Sequence, residues 1–185
     1  MQYNEKMAAQ IAAFFTFRQG GAIEILKLMK LMYLAERESF KRYGEPLTGD
    51  SLYSMDNGPN VSKTYDTCKN KIVSEYWRTW MRDRDGNLLS LIENKDPTDR
   101  LSELSIADLE ILDSIWGKFG GMTAGQLVDY THTNCPEWKD PKGSSIFMPY
   151  KELLSILGYE DSVISELEER ITEQKNIDNY FKIAL

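Results

Sequence analysis

His132 is the only imidazole in the chain, and Cys135 follows it three residues later. A thiol attacks only as a thiolate, so Cys135 or Cys68 would need a base beside it. His132 is the one histidine that could serve. The same His-x-x-Cys pair, completed by Glu137 or Asp140, could begin a zinc site. Two such ligands fall short of the four, or three plus water, that zinc takes. The sequence has no Gly-x-Ser-x-Gly elbow and no phosphate-cradling P-loop. The plainer expectation is that His132 hydrogen-bonds loop backbone, Trp138 plugs the core, and no metal or cofactor is held.

Glu36 is the second residue whose placement needs a reason. Ile25, Leu26, Met29, Met32, Tyr33, Phe40 and Tyr43 recur at the helical period. Glu36 falls in line with Met29, Met32 and Tyr43 on that apolar face. A carboxylate buried there is costly unless it accepts hydrogen bonds. The expected donors lie in the return segment Asp50 to Asn60. Lys27, Lys30, Arg37, Glu38 and Lys41 form a narrow polar stripe, expected to be exposed.

Two further groups suggest nucleic acid and are outweighed. Tyr76, Trp77 and Trp80 beside Arg78 and Arg82 could stack on single-stranded bases. Alternation in a hairpin more simply sends one set to the core and leaves the other as a protein interface. A helix-turn-helix could be drawn through Leu109 to His132. Its second helix, Ala124 to Thr131, has no Arg or Lys to meet phosphates or base edges.

These residues must be positioned by a mainly helical frame. Asn4 to Phe17 reads as a helix packing through Met7, Ala8, Ile11, Phe14 and Phe15. The central helix, over Ala22 to Tyr43, has so wide an apolar arc that others should pack around it. Gly44 ends it and Pro46 prevents its return. Leu47 to Met55 looks extended and meets the turn Asp56-Asn57-Gly58-Pro59. Asn60 to Lys71 reads as helical through Val61, Tyr65, Cys68 and Ile72. Asp85-Gly86 between apolar runs at 77–82 and 88–92 signals a hairpin, expected to join Leu47 to Met55 in a small sheet.

Ser105 with Asp108 caps a helix carrying Ile106, Leu109, Leu112, Ile115, Trp116 and Phe119. Thr123 with Gln126 caps the next, followed by an irregular loop from Thr131 to Ser145. Such loops are often functional. Tyr150 to Leu157 is a short helix ended by Gly158. A last helix starts at Asp161, docking through Val163, Leu167, Ile171, Ile177 and Phe181. The fold class is therefore α+β, a mainly helical domain around a central buried helix, with a small antiparallel β-sheet or hairpin.

A chain of 185 residues with 42% hydrophobic residues can bury one sizeable core. Its net charge of −7 argues against nucleic acid as a partner and favours basic ones. Two cysteines make no disulfide framework. The start of the chain lacks the features of a signal peptide, and no run is long enough to span a membrane. A cytoplasmic protein is expected.

The stretch Lys27 to Arg37, then Tyr43-Gly44-Glu45-Pro46-Leu47, then Gly58-Pro59, resembles the opening signature of the Panacea, or SocA-like antitoxin, domain. Trp116 to Phe119, Leu127 to His132 and Pro136 to Ser145 resemble its later segments, in the same order. Asn60 departs from the family pattern. The resemblance implies one domain over 1–185: an N-terminal helix (1–20), a family core (21–158) and a C-terminal helix (159–185).

It further implies a type II antitoxin that neutralises a protein toxin by direct binding, without catalysis and without operator binding of its own. The alternatives are a proteolytic adaptor, with a protease as second partner, or a mobile-element effector that binds a host protein. A metal- or thiol-dependent enzyme at His132 and Cys135 is the remaining one. Tyr33, Glu36, Asp56, Gly58, Pro59, Thr131, His132 and Trp138 are expected as structural motif residues. Lys27, Lys30, Arg37, Lys41, Trp77, Arg78 and Arg82 are expected as partner contacts.

Overall fold

A computed structural model describes residues 2–183, leaving out the side chains of 175, 179 and 181–183. Helix α1 (Glu5–Arg18) begins where Asn4 Oδ1 accepts from the amides of Lys6 and Met7. That cap satisfies two of the orphan donors at a helix start. Its four alanines are fully buried, which lets neighbouring elements approach closely from more than one side.

Strand β1 (Ala22–Glu24) precedes α2 (Ile25–Tyr43). The helix therefore starts three residues later than its periodicity suggests. Residues 22–24 are drawn into a ladder with β4 (Leu88–Ser90), in register Ala22 to Ser90 and Glu24 to Leu88. Nearly all of α2 from Ile25 to Phe40 is buried, as a central helix requires, whereas Tyr43 is exposed. Gly44 closes it at φ +71°, a left-handed conformation that favours glycine.

Glu36 is fully enclosed. Its carboxylate accepts from the amides of Leu47 and Thr48, both at 2.8 Å, and from the Thr48 hydroxyl. The donors belong to the chain just after the helix, a little before the segment expected.

The sheets differ from expectation. β2 (Leu52–Met55) and β3 (Gly58–Val61) form a hairpin across Asp56-Asn57, and β5 (Ile146–Met148) adds to the other side of β2. Pro59 sits on the edge strand β3, where its missing N–H costs no ladder bond to a further strand. Gly58 to Val61 are thus a strand, and α3 (Ser62–Cys68) begins only afterwards. Asp50 accepts from the amides of Lys63 and Thr64 at that start.

The Asp85-Gly86 reversal exists, with bridges Asp85 to Leu88 and Met81 to Leu91. Its sheet partner is β1 and not residues 47–55. Trp77–Thr79 is a 3₁₀ turn, so Trp77 and Trp80 both point inward instead of alternating.

α4 (Ile106–Phe119) and α5 (Ala124–Asn134) carry the expected reciprocal caps, Ser105 with Asp108 and Thr123 with Gln126. α4 packs through Ile111, Leu112, Ile115 and Phe119, while Ile106 stands in solvent. α5 runs on to Asn134, so Thr131 and His132 are helical and not part of the loop. α6 (Tyr150–Ile156) leads to α7 (Asp161–Ile183). α7 docks through Ile164 and Leu167, with Ile171 half-buried. Val163 and Ile177 are exposed, and the side chain of Phe181 lies outside the described residues.

Burial pushes the Glu36 carboxyl up to about 7 from 4.5, against the pull of the Thr48 and Leu47 hydrogen bonds. The folded chain therefore holds a proton that the unfolded chain has lost between these values, and stability falls as pH rises through that window. Glu36→Gln removes the titration. Wild type should lose roughly 3 kcal/mol relative to E36Q between pH 4.5 and above pH 7. Urea unfolding at pH 4.5, 6 and 8 measures the difference, and a constant difference would refute it.

Candidate functional site

The polar heads of α2 turn inward. Lys27 Nζ donates to Gly120 O at 2.7 Å and stands 5.6 Å from the Trp116 ring centre. Lys30 Nζ donates to Pro59 O at 2.6 Å. Tyr33 donates its hydroxyl to Glu137 Oε1, and Arg37 Nε donates to the same oxygen at 2.6 Å. Lys27 and Lys30 are 7% and 1% exposed, so neither is a free surface contact. Both corrections have one cause: each ammonium finds a carbonyl on another element and needs no water.

Gly58 is where these elements meet. At φ +95° it adopts a backbone that side chains rarely take. A Cβ there would stand 2.7 Å from Thr131 Oγ1, 3.3 Å from Lys30 Nζ and 3.4 Å from His132 Cδ2. Only glycine lets the hairpin, α2 and α5 close on each other.

The loop after α5 is stapled over this junction. Trp138 stacks on His132, ring centres 3.9 Å apart and 17° from parallel. Trp138 Nε1 donates to Met55 O at 2.9 Å, so the indole is half-buried against the hairpin. Lys139 N donates to Ser54 Oγ, and Gly143 N to Asp56 Oδ1. Asp56 therefore ties the hairpin tip to the loop. His132 makes a stacking contact in place of the expected backbone hydrogen bond, and among the described residues its Nε2 has no partner. Glu137 Oε2 is likewise unpartnered.

The electrostatics follow from burial. Desolvation lowers Lys30 to about 7 from 10.5. It raises the Tyr33 hydroxyl, helped by the adjacent Glu137 carboxylate. Burial and Glu137 together push the Cys135 thiol up to about 12, so it is not a thiolate near neutral pH. Cys68 is fully buried and raised further by desolvation. Among the described residues no three His, Cys, Asp or Glu side chains converge as metal ligands.

A cleft of about 480 Å³ opens beside the junction, lined by Leu26, Met29, Lys30, Asn57, Asn60 and Ser144 among others. Of the expected partner contacts, Lys41, Arg78 and Arg82 lie at the surface. Arg37 is half-buried on Glu137, and Trp77 is in the core. Arg82 donates to the carbonyls of Leu91 and Ile92, and Arg78 pairs with Glu75 at 3.4 Å. Lys41 sits in the last turn of α2, whereas Arg82 pairs with the end of β4, whose partner β1 runs into the first turn of that helix.

Glu137 was visible in the sequence only as a spare carboxylate, yet two α2 side chains converge on it. Asp50, which starts α3 from twelve residues away, left no local signal. Among the described residues no helix is long and apolar enough to cross a membrane.

A mainly helical α+β scaffold with a locked interior polar junction is the class that this geometry defines. The family model described as antitoxin SocA-like, Panacea domain, matches residues 28–139, more than half of the chain. The chain belongs to that family. Comparison with curated proteins and with solved structures finds no match.

Two outcomes test the junction. Gly58→Ala should destabilise by roughly 1–3 kcal/mol from backbone strain alone, with a steric cost against Thr131 added. Adding Thr131→Ala should recover the steric part only, which a double-mutant cycle in urea resolves. For Lys30, the folded value lies below the unfolded one. The unfolded chain binds the extra proton between about 7 and 10.5, and stability contributed by this group rises with pH there. Wild type should gain roughly 1.4 kcal/mol per pH unit over Lys30→Met between pH 7 and 9. Equal melting shifts at both pH values would contradict it.

Proposed function

We propose that this chain is an antitoxin that neutralises a protein toxin by direct binding, with no chemistry of its own. The observation that carries the reading is the family match over residues 28–139, which includes every residue of the α2–Gly58–Glu137 junction except Lys27. The junction's polar groups support it. Lys27, Lys30, Tyr33 and Arg37 are each engaged with a carbonyl or carboxylate of the fold itself. The thiol of Cys135 is held protonated beside them, against the needs of a nucleophile. Tyr33, Glu36, Asp56, Gly58, Pro59, Thr131, His132 and Trp138 act as structural members in this reading. Toxin and antitoxin meet in the cytoplasm, without nucleic acid or membrane.

Co-expression with the product of an adjacent toxic reading frame tests the reading. Growth should recover, the two proteins should co-purify, and the toxin should persist at an unchanged level on immunoblots. Disappearance of the toxin would instead mark a proteolytic adaptor. His132→Ala and Cys135→Ala should still neutralise. Loss of neutralisation by variants that fold and bind normally would mean that the protein works by catalysis.

A further inference from the structure

β5 is the outer strand of its sheet. In the order β3-β2-β5 it has β2 on one side and, among the described residues, no strand on the other. Open strand edges invite pairing, and proteins usually blunt them with charges or cover. β5 is short, which limits the hazard, yet it carries neither device. No charged residue lies between Lys142 and Lys151. Ile146 is 39% exposed and Phe147 55%. The Phe147 ring is held edge-on against Tyr53, with centres 5.5 Å apart, so it offers a fixed apolar platform.

A groove of about 340 Å³ runs from Phe147 and Tyr150 to Glu168 and Ile171 of α7. A second, of about 270 Å³, continues from Ile171 to Glu45 and Glu173. Three carboxylates therefore line the path. Among the described lining residues the one cation, Arg170, is paired with Glu45. The whole chain carries −7. Such a path attracts cations.

Taking the antitoxin reading as given, we propose that the toxin inserts an extended segment bearing lysine or arginine between apolar residues. The segment pairs with the open edge of β5 and sets an apolar side chain on Phe147. Its cations face Glu168 and Glu173. An extended occupant follows from β5, because only another extended backbone can complete a strand edge. A second copy of this chain is disfavoured, because it would bring the same acidic wall against itself. Most of the groove's lining also lies outside the family-matched span, the exceptions being Glu45, Pro46, Gly49 and Ser51.

The probe is a synthetic decapeptide of alternating lysine and valine, with an alternating glutamate and valine decapeptide as control. Titrated into the full chain, the first should shift the backbone amides of Ile146–Met148 and of α7 and slow their hydrogen exchange. Its affinity should fall at least tenfold in Phe147→Asp and in Glu168→Lys/Glu173→Lys, and should weaken with salt. All three side chains are exposed, and thermal melts check that the variants fold. Equal binding of both peptides, or shifts confined to other surfaces, overturns the proposal. So do concentration-dependent shifts at β5 without peptide, which would place a second copy there. In the co-expression assay the same variants should lose neutralisation. Variants that neutralise like wild type overturn the groove and leave the antitoxin reading standing, whereas failure of the wild type itself removes that reading.

Discussion

A charged or hydrogen-bonding group taken out of water must be given a partner, and the interior of this protein is arranged around that constraint. α2 is enclosed along most of its length, yet Lys27, Lys30, Tyr33 and Glu36 are buried in it and Arg37 half-buried. Each meets an open valence elsewhere. Gly120, at the end of α4, has one of the carbonyls that a helix terminus leaves unused, and Lys27 takes it. Pro59 presents a carbonyl from an edge strand, and Lys30 takes that. Glu36 collects two amides of the chain leaving α2. The helix is thus a polar hub inside an apolar core, and the hairpin, the end of α4, the chain at 47–48 and the 135–145 loop are aligned by what they offer it.

Local chemistry made the helix ends legible. Asn4, Ser105 with Asp108, Thr123 with Gln126, and Gly44 each mark a terminus because capping is decided within a few residues. Glu36 was legible as a buried acid because it interrupts an apolar arc. Lys27 and Lys30 were not, since a helical wheel places a lysine on a face without knowing whether a carbonyl from residue 59 or 120 will meet it. Strand pairing was hidden for the same reason. β5 is a three-residue piece whose partner lies some ninety residues earlier, and β3 has a spacing that also fits a helix. Trp77 and Trp80 read as alternating because the 3₁₀ turn that directs both inward has no distinct period.

The division between inside and outside has a functional side. The polar side chains at 30, 33, 37, 131 and 137 are occupied with partners inside the fold, and the chain as a whole is acidic with some apolar side chains exposed. Antitoxin family membership accords with such a chain, because recognition of a protein partner needs a stable shape and pattern of charge more than it needs a reactive centre.

Gly44 has a role beyond ending α2. A Cβ on it would come within 2.7 Å of Leu167 Cδ1, the residue through which α7 rests on the scaffold. The bare Cα acts as a shim: its missing methyl sets how closely the last helix can lie against the body of the protein. The gap between α7 and the chain at 45–51 is therefore gauged by a position inside the family-matched span, although the far wall of that gap lies beyond it.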